Sequence, residues 1–94
     1  MLAEGKKEYV MSKQLLRSGT SVGAMIREAQ NAESKMDFIH KLAIAQKECN
    51  ESLYWLELLE QSNYLSSEEG KEIYDQGVEV LRIIKSSILT TKII

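Results

Sequence analysis

Three carboxylates, Glu28, Glu48 and Glu51, together with the single histidine, His40, and the single cysteine, Cys49, are the side chains here whose types could do chemistry as a group. Carboxylates on facing helices can hold a metal ion. Bundle metal sites of that kind pair Glu with a Glu-x-x-His element, however, and no Glu-x-x-His occurs in this sequence. His40 falls outside the apolar stripe of its segment, which reads as a surface or boundary residue rather than a general base. Cys49 falls inside that stripe, where a buried small residue is expected, not a thiolate in an exposed electropositive setting. No glycine-rich phosphate loop, Ser/His/Asp set or zinc-ligand spacing is present. The expectation is a protein that is not an enzyme and holds no cofactor or metal. Glu28, Glu48 and Glu51 are then expected to pair with Arg17, Arg27 or Lys47.

The basic residues suggest a different chemistry. Lys6, Lys7, Lys13, Arg17 and Arg27 are the candidates for phosphate contacts, since repetition around an oligomer could turn them into a basic ring. An ordinary solvated face is the competing reading for a single chain. The whole sequence carries 12 Lys and Arg against 14 Asp and Glu, a net charge of −2, so no global basic field draws it to nucleic acid or anionic lipid. The first fifty residues hold eight basic and six acidic side chains, and the remainder four and eight, so the N-terminal half is the anion-facing part.

Helices must position these groups. There is no proline, and Glu, Lys, Leu, Ala and Gln are plentiful. Ser34-Lys35-Met36-Asp37 and Ser66-Ser67-Glu68-Glu69 each set a hydroxyl three residues ahead of a carboxylate, the signature of a reciprocally capped helix start. The spacing predicts three main helices, at about 8–31, 34–62 and 66–91, joined by links short enough to make neighbours antiparallel. Met11, Leu15, Ser18, Val22, Met25, Ile26 and Ala29 keep one phase straight through "LLRSGTSVGAMIREAQ", so this stretch is one continuous helix despite its glycines.

The second helix, about 40 Å long at 1.5 Å per residue, has its main stripe at Phe38, Ile39, Leu42, Ala45, Cys49, Leu53, Leu56 and Leu59. Ile44, Trp55 and Leu58 form a second face for which three helices offer no obvious cover. The third helix presents Ile73, Gly77, Val80, Leu81, Ile84 and Ile88 as its stripe, and the final "TTKII" is expected to fray. Gly19, Gly23 and Gly77 are expected to mark close helix packing. Residues 1–94 are expected to form one helical-bundle domain. With so small a core, a homo-oligomer is a natural way to gain stability. Without a signal-like N-terminus or a run of about 18 apolar residues, a cytoplasmic protein with no membrane contact is expected.

"SKQLLRSGTSVGAMIREA" followed by "DFIHKLAIAQKECNESLYWLELL" resembles the small bacterial four-helix-bundle proteins encoded in intervening sequences of 23S rRNA genes. The carriers are Gln14 and Arg17, Ser21 and Val22, Ile26 with Glu28 and Ala29, then Ile44 and Ala45 leading to Glu51. Met25 departs from the family's usual Asn. The resemblance implies an all-α, up-down antiparallel bundle. It also implies a further helix ahead of Glu8, of which this sequence keeps only "MLAEGKK", so the bundle is expected with its first helix largely missing. Relatives of this fold, including the accessory protein of diversity-generating retroelements, assemble as pentamers, and that accessory protein binds nucleic acid through a basic surface. A homo-oligomer, pentameric by resemblance, is therefore the expected state. Its expected role is interaction or scaffolding of unknown function near rRNA intervening sequences, and a nucleic-acid-binding module is the alternative. Ile44, Trp55 and Leu58 are the expected interface, toward either the missing helix or a neighbouring subunit.

Overall fold

The computed structural model describes residues 4–94 as three helices of 27 residues each: α1 (Glu4–Gln30), α2 (Lys35–Gln61) and α3 (Ser67–Ile93). Among the described residues there is no strand. α1 begins one turn earlier than the spacing predicts and runs unbroken through Gly19 and Gly23. The C-terminal segment expected to fray is helical as far as Ile93.

Local chemistry sets the ends. At the start of α2 the Ser34 Oγ accepts from the Asp37 backbone N–H at 3.0 Å, while the Asp37 carboxylate accepts from the Glu33 N–H at 3.3 Å. At the start of α3 the Ser66 Oγ accepts from the Glu69 N–H at 3.0 Å and donates to the Glu69 carboxylate at 2.9 Å. Both predicted boxes therefore cap, though neither carboxylate returns to the N-cap residue's own N–H. α2 closes with Asn63 in the left-handed region at φ 65°, with Asn63 N–H on Glu60 O and Tyr64 N–H on Leu59 O. That pair of bonds satisfies the last carbonyls and turns the chain sharply.

The links bring the helices back antiparallel in an array 49 × 22 × 17 Å, with α2 in the middle. α1 packs on one side of α2 and α3 on the other, and no Cα of α1 comes within 8 Å of one of α3. Ser18, Val22 and Ala29 of α1 are buried, as are Leu42, Ala45, Cys49, Leu53, Leu56 and Leu59 of α2 and Ile84 and Ile88 of α3. The predicted stripe of α3 needs correction: Ile73 and Val80 are exposed, because no fourth helix stands opposite them. Gly77 does mark a close approach, since a Cβ there would lie 2.7 Å from Leu53 Cδ2.

Candidate functional site

Two surfaces gather the residues singled out by the sequence, and the first is the seam between α1 and α2. Ser18, wholly enclosed, meets Ser52 with their hydroxyl oxygens 2.8 Å apart, and Ser52 also bonds the Glu48 carbonyl at 3.1 Å. Small hydroxyl side chains let the two backbones approach while every polar atom keeps a partner. Just outside, the Arg17 guanidinium forks onto Glu48 at 3.2 Å and Glu51 at 2.5 Å. Trp55 Nε1 donates to the same Glu51 at 3.4 Å. The hydrogen bond from Arg17, followed by that from Trp55, holds the Glu51 carboxyl below its ordinary range. Glu28 pairs with Lys41 at 3.1 Å. The carboxylates are thus spent on helix-to-helix pairing, with Lys41 in place of the expected Arg27 or Lys47. Among the described residues no group of three His, Cys, Asp or Glu side chains stands close enough to hold a metal ion.

Ile44, Trp55 and Leu58 lie on the same side of α2 as Glu48 and Glu51, one or two turns apart, and all three are half-buried. Arg17 reaches the neighbouring Glu48 and Glu51 from α1. His40 is exposed. Cys49 is buried, donates to the Gly77 carbonyl at 3.4 Å and has its thiol pushed up by desolvation. Among the basic candidates, Lys6, Lys13 and Arg27 are exposed, Lys7 is half-buried and Arg17 is engaged in its fork.

The second surface is a groove that sequence reasoning did not locate. α2 forms its floor, with Leu53 and Leu56; one wall is Leu15, Gly19, Val22 and Ile26 of α1, and the other is Ile73, Val80 and Ile83 of α3. Two hollows of about 220 and 190 Å³ lie along it. Gly19 and Gly23, expected to mark close packing, have nothing beyond their own helix within 4 Å of a Cβ position among the described residues. The signal was present as Ile73 and Val80 in the α3 stripe. What phase alone does not reveal is that α1 and α3 stand too far apart to close over them.

No curated protein matches this chain. A crystal structure of a protein of unknown function from the S23 ribosomal protein family of Bacteroides thetaiotaomicron is 53% identical, with a TM-score of 0.84, covering 88% of this chain and 77% of that one. The family model for 23S rRNA-intervening sequence proteins matches residues 2–86. With that match spanning nearly the whole chain, this protein belongs to the 23S rRNA-intervening sequence protein family.

Proposed function

We propose that this chain is a non-enzymatic interaction protein that works as a homo-oligomer, its role being to present an incomplete helical bundle that another helix completes. The observation that supports this reading is the open groove. Its walls keep Ile73, Val80 and Ile83 at 42%, 37% and 53% exposure, in one line along α3 opposite the α1 wall. A continuous exposed apolar strip of this kind marks an interface on a small protein. The family's description, 23S rRNA-intervening sequence protein, supports a role near ribosomal RNA genes. Sedimentation equilibrium tests the reading: a mass above 10.7 kDa is expected at micromolar concentration, falling toward that value in Val80→Asp. A wild-type monomer at all concentrations would overturn it.

A direct nucleic-acid role is the second reading. Lys6, Lys13 and Arg27 support it, being exposed along α1. Binding driven by phosphates weakens steeply as salt rises. A titration with structured RNA and duplex DNA at low and high salt is the test, and no binding at low salt removes this reading.

A further inference from the structure

We infer that the far half of α3 is a docking face for an anionic lipid surface, into which Leu89 and Ile93 dip while Lys85 and Lys92 reach the headgroup phosphates. The face lies on the flank of α3 away from the groove, so it stands apart from the completion of the bundle.

Charge divides α3 along its length. From Val80 onward it reads "VLRIIKSSILTTKII", with Arg82, Lys85 and Lys92 and no carboxylate side chain, whereas the near half holds Glu68, Glu69, Glu72, Asp75 and Glu79. Glu79 is spent on Arg82, and Asp75 on Lys71. Lys85 and Lys92 are exposed.

The apolar residues follow the same division. At about 100° per residue, Gly77 against Leu53 and the buried Ile84 and Ile88 mark the side of α3 packed on α2. Ile73, Val80 and Ile83 fall on the groove flank. Val78, Lys85, Leu89 and Lys92 fall close to one line on the opposite flank, with Arg82 and Ile93 beside it. Exposure rises toward the end, from 42% at Val78 to 62% at Leu89, 84% at Ile93 and 85% at Ile94. Because α2 runs antiparallel to α3, its first residues Lys35 and Met36 stand at this end too, and Met36 is 82% exposed. The acidic residues of that end, Glu28, Glu33 and Asp37, line a hollow between α1 and α2 with Arg27 and Lys41, off the flank of α3.

Cations near the end of a helix complement its dipole, but that role requires no exposed Leu89, Ile93 and Ile94 among them. A surface that is anionic outside and apolar beneath matches both sets of side chains, since lysine stems lie along acyl chains while their heads stay at the phosphates. Exposure concentrated at one end of a 49 Å long array suits a plane meeting that end. The acidic half of α3 is then held off the anionic surface. Nucleic acid fits less well, because the far half of α3 has no aromatic side chain on which a base could stack. No described helix is long and apolar enough to cross a membrane, and docking of this kind needs no crossing. The family match ends at residue 86, so Leu89, Lys92 and Ile93 lie beyond it.

The test is co-sedimentation of the full chain with vesicles of phosphatidylglycerol mixed with phosphatidylcholine, against vesicles of phosphatidylcholine alone. Binding to the anionic vesicles is expected, weakening as salt rises. Lys85→Gln with Lys92→Gln should lower the partition coefficient about thirtyfold. Leu89→Ser with Ile93→Ser should also weaken binding and leave the helical circular dichroism unchanged, while Lys13→Gln on α1 should bind as the wild type does. A wild type that ignores anionic vesicles overturns the inference. So does an equal loss in Lys13→Gln, a serine pair that binds undiminished, or a Lys85- and Lys92-dependent binding to structured RNA in place of vesicles.

Discussion

Ser18 is wholly enclosed, and its value lies in being small and polar at once. Ser18→Ala leaves Ser52 its bond to the Glu48 carbonyl but removes the link across the seam. A loss of about 1 kcal/mol by urea denaturation is expected. Gly77 follows a different logic. A larger side chain there must displace buried Leu53, so Gly77→Val is expected to lose about 1–3 kcal/mol despite the better helix propensity of valine. The Arg17 fork gives a pH signature. Because the folded chain holds the Glu51 carboxyl below its unfolded value, the pair adds stability above the ordinary carboxylate range and loses it as pH falls through the folded value. Urea midpoints of wild type and Arg17→Gln are therefore expected to differ at neutral pH and to converge in acid. A gap that persists below the carboxylate range would assign the effect to packing of the arginine stem.

At the scale of elements, the capping hydroxyls have the simplest consequences. Ser66→Ala removes the acceptor for the Glu69 N–H at the start of α3 and is expected to cost about 1 kcal/mol in thermal or urea unfolding. Both outer helices pack only on α2, but α1 is also tied to it by the Ser18–Ser52 bond and the Arg17 and Glu28 ion pairs, so local opening of α3 should precede that of α1, with faster amide exchange along Ile73 to Val80. α1 shows how a helix can carry two glycines in mid-course. The cost of about 1 kcal/mol each relative to alanine is offset by the rest of a 27-residue helix held through the seam. The capping motifs and the phase of the apolar residues made all three helices legible in advance, because both are local properties of a helix. The start of α1 was less so: no capping box marks it, and the helix begins at Glu4, one turn ahead of the expected position.

For the whole molecule the open corner is the decisive feature. A chain that associates through it gains stability by mass action, so the melting temperature is expected to rise with protein concentration. Gly19→Ala separates the two states. In dilute solution, where the chain is monomeric, it should be stabilised by about 1 kcal/mol through helix propensity, since among the described residues nothing beyond its own helix lies within 4 Å of the new methyl. At high concentration the same methyl should weaken association. Calorimetry across a hundredfold concentration range reads both effects.

Sequence alone determined the helices, their antiparallel order and most of the buried stripe of α2, because capping, periodicity and short links act within a few residues. It also placed Cys49 in the buried stripe and named Arg17 among three candidate partners for the carboxylates, of which the structure uses Arg17 at Glu48 and Glu51. Only the tertiary structure decided which apolar faces stay open. Ile44, Trp55 and Leu58, expected to need cover, are half-buried, while Ile73 and Val80 looked like core but line the groove. The physical reason is that a stripe records which side of a helix avoids water, whereas what covers it depends on the angle at which two other helices sit around α2, and that angle is written in no single segment.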